Sequence, residues 1–251
     1  MRSDLRTSYE EKIRRAHGIH FLSDKPADFL EIWASVKNLT MLSRERLYNY
    51  WSAVNFVCER GIPGDIVEVG VWAGGGIISS AKCIQNWENV SGKSDAYRDR
   101  LVLGYDTFKG HPRPDDDEVD IWSKSQVEVY EDTRKSGWAS VSLETVTANL
   151  SAHLQSLDWT RLVEGPCEET LHDHLPKRAA VIHIDVDWYQ PTLESLRCLW
   201  PTLSVGGVII LDDYGHHSGA RRAVDEYFSQ QALPPFFSHI DYSCISGVKV
   251  A

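Results

Sequence analysis

The 251-residue chain lacks several features that mark particular classes of protein. It contains no run of 18 uninterrupted apolar residues, so no membrane association is expected. Its first 18 residues are charged and form no apolar signal core, which predicts a cytoplasmic location. Lysine and arginine form no marked cluster and the net charge is −10, so a nucleic-acid partner is not expected.

Cysteine pairs at metal-binding or redox spacing are also absent. The five cysteines include no C-x-x-C pair, and their odd number does not suit a disulfide framework or a zinc knuckle. We interpret them as buried reduced thiols. Internal repeats and low-complexity linkers are lacking too, so the length favours one α/β domain with a full core.

The order of apolar patterns predicts a helical segment followed by an alternating α/β segment. Residues 1–60 are predicted to be a helical extension of the same domain, which covers the site or contacts another subunit. In residues 61–251, short β-rich runs alternate with helical runs, which predicts βαβ units and a mostly parallel sheet. Residues 107–137 have no clear periodicity and are predicted to form a long loop.

A glycine-rich turn follows the first predicted strand. The segment from Glu68 to Gly76 reads EVGVWAGGG, and its glycines allow the backbone to turn close to a ligand. It departs from the dinucleotide fingerprint G-x-G-x-x-G because Trp72 replaces the second glycine, which suits a smaller ligand without a pyrophosphate. The next strand ends in Asp106, where an acid can accept the hydroxyls of a ribose. Each feature alone is also typical of an ordinary turn, but together they favour a nucleoside-bearing cofactor.

Acidic residues follow two further predicted strands. Asp185 and Asp187 end one apolar run, and Asp212 and Asp213 end the next, 27 residues after Asp185. If these strands are neighbours, their ends lie roughly 5 Å apart, and so many carboxylates cannot all stay ionised without a counter-charge. The pattern therefore predicts a divalent cation with oxygen ligands, such as Mg²⁺, Ca²⁺ or Mn²⁺, although loop solvation by Asp is an alternative.

The combination EVGVWAGG, YDTFKG, IDVDWY and LDDYG resembles the macrocin O-methyltransferase family, whose members methylate sugar hydroxyls of glycosylated natural products. The resemblance implies a Rossmann-like class I methyltransferase sheet of seven strands with helices on both faces and an antiparallel last strand. It also implies S-adenosylmethionine and Mg²⁺ (or Mn²⁺) as cofactors, a sugar-bearing small-molecule substrate and a homo-oligomer. Residues 61–251 would then be the methyltransferase domain.

The resemblance also implies roles for individual residues. Asp185, Asp212 and Asp213 match the metal ligands of the family. Asp187 matches the second acid of its D-x-D segment, and Asp185 and Asp187 are both candidate catalytic bases. The implied cofactor-binding residues are Glu68, Gly70, Trp72 and Gly74 in the turn, Asp106 at the ribose, Cys167 and Glu168 near the adenine, and Asp185.

A base must remove the proton of the attacked hydroxyl. Besides the acids, His216 and His217 follow the DDYG turn, where they either reach the same region or belong to an ordinary exposed turn. We include His216 among the catalytic residues. His111 in the long loop is a further candidate. The aromatic residues Trp188, Tyr189 and Tyr214 flank the acids, where they either face a sugar or serve ordinary packing.

Three alternatives stay open at this point. A catechol or phenol acceptor needs less metal activation, because a phenol ionises far more readily than an alcohol. A nicotinamide-dependent oxidoreductase would require the glycine fingerprint that the chain lacks. A binding protein that kept the fold without the activity would be expected to have lost acidic positions, and here all of them are filled.

Overall fold

A seven-stranded sheet forms the centre of the protein, a computed structural model that describes residues 25–91, 100–134 and 139–251. The strands run in the order β3-β2-β1-β4-β5-β7-β6, and β7 is antiparallel to β5 and β6. Their bounds are β1 Asp65–Val69, β2 Val102–Asp106, β3 Thr160–Glu164, β4 Ala179–Ile184, β5 Leu203–Leu211, β6 Ser238–His239 and β7 Ile245–Val248. The predicted sheet of parallel strands with an antiparallel last strand is confirmed.

Helices cover both faces of this sheet. Every residue of β4 is buried, which agrees with its unbroken apolar run AVIHI, and two apolar clusters lie on the two faces. The helices are α1 Ala27–Val36, α2 Arg44–Glu59, α3 Gly75–Ser91, α4 Gln126–Arg134, α5 Leu143–His153, α6 Cys167–Asp173, α7 Tyr189–Leu199 and α8 Ser218–Ser229. Within the described ranges, no helix combines the length and hydropathy that a membrane span requires.

The helix α2 brings the N-terminal part of the chain to the edge of the sheet where the acids lie. Ser43 caps it by accepting the N–H of Arg46 at 3.2 Å, and Leu47, Tyr50 and Val54 are buried in the core. The predicted helical extension thus contains α1 and α2, whereas residues 1–24 lie outside the described part of the chain. Its role as a cover or a subunit contact stays a prediction.

Strand register places the ends of four strands at one edge. Val69 pairs with Tyr105 and Ile184, and Ile184 pairs with Leu211. Because the strands are parallel, the residues that follow them emerge together. The strands β4 and β5, which the acids follow, are therefore neighbours, which is the arrangement that the predicted cation site assumed.

The segment 107–125 is a loop, but the predicted irregular stretch ends earlier than residue 137. The helix α4 lies inside it, and its sequence QVEVYEDTR has too few apolar residues for a clear helical period. The loop is held over the sheet edge by several contacts: the Trp188 indole N–H donates to the carbonyl of Pro112 at 3.0 Å, and the buried Glu118 carboxylate accepts the N–H of Tyr189 at 3.1 Å.

Candidate active site

The glycine turn is shaped by close backbone approach. Gly70 has φ +91°, and a Cβ there would lie 1.9 Å from the carbonyl oxygen of Asp185. Asp106 Oδ2 accepts the N–H groups of Val71 at 2.7 Å and Trp72 at 3.0 Å, so this carboxylate fixes the turn. Its Oδ1 accepts the N–H of Phe108 at 2.8 Å, and the residue lines a cavity, which is compatible with the predicted ribose contact.

A cavity of about 400 Å³ opens between this turn, the acidic strand ends and the start of α6. Six of the eight residues predicted to bind the cofactor line it: Gly70, Trp72, Asp106, Cys167, Glu168 and Asp185. Glu68 and Gly74 are not among the lining residues. The Glu68 carboxylate lies beneath the turn, where a Cβ on Gly76 would meet its Oε1 at 2.0 Å.

A buried histidine, His183, lies between Glu68 beneath the turn and Asp212 among the acids. His183 Nδ1 lies 3.2 Å from Glu68 Oε1, and His183 Nε2 lies 4.0 Å from Asp212 Oδ2. Burial lowers the pKa of His183, but the carboxylates of Asp212 and Glu68 outweigh it and raise that pKa to about 10. The two carboxylates therefore favour the protonated form of this buried imidazole, a feature that the sequence analysis missed.

The four acids converge, as predicted. Ligand atoms of Asp185, Asp212 and His183 lie within 4.8 Å of one another, and so do those of Asp187, Asp213 and His217. Burial and the Asp212 charge raise the pKa of Asp185 to about 7, and burial with the neighbouring acids raises the pKa of Asp213 well above its ordinary value. Without a cation to offset the repulsion between these carboxylates, the folded protein therefore favours the protonated forms of Asp185 and Asp213.

Backbone strain accompanies this cluster. Asp187 has φ +60° and Asp213 has φ +61°, both in the left-handed region that non-glycine residues adopt rarely. Strain of this kind persists where the surrounding structure fixes a functional geometry. Here it accompanies two carboxylates that follow the neighbouring strands β4 and β5 and that share a cluster with His217.

Arg46 from α2 is a member of the site that the sequence did not reveal. Its Nη1 donates to Asp212 Oδ1 at 2.8 Å and its Nε to Asp241 Oδ2 at 2.7 Å. The Asp212 side chain is fully buried, which makes it the least exposed of the predicted metal ligands. It lines neither this cavity nor the second one described below.

Two imidazoles bracket Asp187. His111 Nδ1 lies 2.9 Å from Asp187 Oδ2, and His217 Nε2 lies 3.2 Å from Asp187 Oδ1. Burial raises the pKa of Asp187, but the two imidazoles, His111 first, outweigh it and hold that pKa well below its usual range. His216 instead lies near Tyr242, with its Nδ1 3.2 Å from the Tyr242 hydroxyl. The structure thus brings His217 and His111, rather than His216, to the acids.

A second cavity of about 330 Å³ adjoins the first. The residues that line both are His111, Asp187 and His217. Trp188 lines the second cavity with its indole edge against His217, whereas Tyr189 and Tyr214 donate to Glu226 and Asp225 on α8. Neither tyrosine lines a cavity, which agrees with the packing interpretation.

The donor set fits a hard divalent cation. The Oδ2 atoms of Asp212 and Asp213 are buried and have no hydrogen-bond partner among the described residues. A cation would supply both their missing partner and the counter-charge that the cluster lacks. Carboxylate oxygens at this position suit Mg²⁺ or Mn²⁺ better than softer ions.

Comparisons with known proteins agree with this geometry. The family model described as macrocin-O-methyltransferase (TylF) matches residues 13–247. Mycinamicin III 3''-O-methyltransferase of Micromonospora griseorubida is 31% identical over 80% of this chain and 75% of its own length. A tetracenomycin-C 4'-O-methyltransferase of Streptomyces olivaceus, whose substrate carries a dimethoxy-rhamnosyl group, is 33% identical over 83% and 74%.

Solved methyltransferase structures also have a fold similar to that of this chain. The O-methyltransferase NovP superposes with a TM-score of 0.73 at 29% identity, covering 85% of this chain and 83% of its own. The calicheamicin methyltransferase CalS11 has a TM-score of 0.63 at 20% identity, over 90% and 88%, which speaks for the fold alone. A family match over nearly the whole chain, on a sheet that carries the expected turn and acids, assigns this protein to the macrocin-O-methyltransferase family.

Proposed function

We propose that the protein transfers a methyl group from S-adenosylmethionine to a sugar hydroxyl of a glycosylated or nucleotide-linked substrate, with a divalent cation at the acids. The observation that carries this proposal is that two cavities meet at Asp187. The first lies beside the glycine turn, and the second is lined by the His217 imidazole and the Trp188 indole. Family membership supports methyl transfer and leaves the oxidoreductase alternative without support. A cytoplasmic location and homo-oligomerisation stay predictions.

The first cavity is assigned to the cofactor. Trp72 and Asp106 at the turn face Cys167 and Glu168 at the start of α6 across a space large enough for a nucleoside. Direct displacement requires the acceptor oxygen to lie in line with the sulfonium–methyl bond at about 3 Å. Asp185 borders this cavity on the side of the acids, so the transferred methyl group would be presented there.

His217 is assigned as the base. When its Nε2–H donates to Asp187, its Nδ1 keeps a lone pair, and that buried atom has no hydrogen-bond partner among the described residues. The carboxylate orients the ring and stabilises the imidazolium that forms, as in other His–Asp pairs. Because the pKa of Asp187 is strongly lowered, this carboxylate is a poor proton acceptor itself and acts through His217.

The cation is assigned to Asp185, Asp213 and Asp212, with Arg46 holding Asp212 from the other side. When bound, a divalent cation stabilises the negative charge that develops on the acceptor oxygen. These residues would fix the acceptor hydroxyl between His217 and the methyl group.

Methyl transfer to sugar acceptors, assayed with and without EDTA, tests the function. We expect transfer to a sugar hydroxyl, a loss of at least about 10³-fold on chelation, and recovery with Mg²⁺ or Mn²⁺. Full activity after chelation would contradict the metal assignment, methylation confined to phenols would support the phenol alternative, and failure to bind S-adenosylhomocysteine would rule out the function.

Exchanging the two adjacent histidines separates the base from its neighbour. His217→Asn is expected to lower kcat by about 10²–10⁴-fold, since it removes the group that accepts the proton. His216→Asn is the matched comparison and is expected to lower kcat by no more than about tenfold, because His216 lines the second cavity and packs against the His217 ring but makes no ion pair with the acids. Equal losses in both variants, measured as initial rates at saturating substrate, would contradict the assignment.

A further inference from the structure

A second group of metal-ligating side chains lies outside both cavities. Glu194 and Cys198 are one turn apart on the same face of α7, and His172 is near the end of the adjacent helix α6. Residues four apart on a helix point in the same direction, so the two side chains of α7 form one arm of a chelate. None of the three residues lines the cavities assigned to cofactor and acceptor.

The spacing of their donor atoms matches a tetrahedral cation. Cys198 Sγ lies 3.7 Å from Glu194 Oε1 and 4.0 Å from His172 Nδ1, and His172 Nε2 lies 3.1 Å from Glu194 Oε1. Zinc bound at ordinary distances keeps sulfur, nitrogen and oxygen donors roughly 3.3–3.6 Å from one another. The two contacts of His172 use different ring nitrogens, so the exposed ring has to turn until a single nitrogen faces the cation; one ligand atom from each of the three residues already lies within 4.8 Å of the others.

We propose that His172, Glu194 and Cys198 bind a thiophilic divalent cation, of which Zn²⁺ is the first choice, with a fourth position open to water. One sulfur, one imidazole and one carboxylate donor form a set that favours zinc, in contrast to the oxygen donors among the acids. The site is open to solvent, since the His172 side chain is 58% exposed.

Proton release accompanies binding. Burial and the Glu194 carboxylate raise the pKa of the Cys198 thiol to about 11, so the thiol carries its proton at neutral pH. The cation bonds to the thiolate sulfur, and the proton passes to solvent. Affinity therefore rises with pH.

The position in the fold indicates what the cation would do. The helices α6 and α7 both begin at the cofactor cavity, where Cys167, Glu168 and Pro191 line the wall. The three proposed ligands lie nearer the C-terminal ends of the same two helices. A cation there would cross-link the two helices and stabilise the wall, without taking part in methyl transfer.

Cobalt absorption tests this site, because a thiolate ligand gives a charge-transfer band that a cluster of carboxylates cannot give. Titrating the whole protein with Co²⁺, without thiol reductants, is expected to produce the band at one equivalent, and Zn²⁺ is expected to abolish it. Cys198→Ser should remove the band, and His172→Asn should weaken binding by at least about tenfold. His174→Asn, a change at an exposed histidine two residues away, is the matched control and should behave as the wild type.

The outcome is decisive in each case. No band at saturating Co²⁺, or a band that persists in Cys198→Ser, would overturn the proposal. If Cys198→Ser does not fold, His172→Asn decides, because an exposed side chain can be replaced without disturbing the core. Thermal unfolding with Zn²⁺ adds a second readout: the midpoint should rise in the wild type and in His174→Asn, but not in the two ligand variants.

Discussion

Replacing Asp213 by asparagine is expected to abolish methyl transfer and to make the protein more stable in chelator. The Asp213 carboxylate is buried beside Asp187, Asp185 and Asp212, and burial together with these charges raises its pKa well above the ordinary value. Above the ordinary pKa of about 4, this group therefore opposes folding, because the folded state favours its protonated form. Asparagine keeps the shape and removes the charge.

Two measurements on Asp213→Asn should move in opposite directions. The rate of methyl transfer should fall by at least about 10³-fold, because the variant loses one ligand of the cation and one of the negative charges that attract it. In EDTA, the midpoint of thermal unfolding should rise by about 3 °C, which corresponds to roughly 1 kcal/mol in a chain of this size. Mg²⁺ should stabilise the wild type and leave the variant unchanged.

The stability difference between the wild type and Asp213→Asn should depend on pH in a defined direction. The destabilising effect of Asp213 is absent below its ordinary pKa and develops as pH rises towards the higher pKa of the folded state, so the gain from asparagine should be larger at pH 7 than at pH 4. Asp158→Asn, at an exposed position far from the acids, is the control and should change neither rate nor stability. A variant at Asp213 that keeps its rate within tenfold of the wild type would show that this carboxylate is not a cation ligand.

The sheet and the convergence of the acids could be predicted because both follow from local patterns. An apolar run such as AVIHI suits a strand covered on both faces, and one strand–helix–strand unit separates Asp185 from Asp212. Neighbouring parallel strands then place their carboxyl ends side by side whatever the loops do. Only the pairing of β4 with β5 had to be assumed, and the register confirms it.

Other parts of the site depend on contacts that no local pattern records. Arg46 is 166 residues from Asp212 in sequence and looks like an ordinary charged residue on the polar face of a helix. The choice between His216 and His217 depends on side-chain partners far away in sequence, because Asp187 pairs with His217 while Tyr242 contacts His216. The helix α4 was missed for a different reason, because its sequence carries too few apolar residues to show a period.

Arg46→Met is expected to destabilise the protein by about 3 kcal/mol and to impair catalysis. The guanidinium makes charge-assisted hydrogen bonds to Asp212, whose side chain is fully buried, and to Asp241, which is 24% exposed. Removing one partner of a buried pair leaves the other charge uncompensated, and this accounts for most of the cost. Methionine keeps the length and the apolar stem, so the loss of packing is small.

Comparison with a neighbouring arginine isolates the contribution of the buried charge. Arg44 pairs with Glu45 in a partly exposed contact, so Arg44→Met should cost no more than about 1 kcal/mol in urea denaturation. Adding Asp212→Asn to Arg46→Met should restore part of the lost stability, because the orphaned carboxylate is then removed. Methyl transfer should stay low in the double variant, since Asp212 is an assigned ligand. If the effects of the changes at Arg46 and Asp212 on the free energy of unfolding are additive, the ion pair does not hold α2 to the acids.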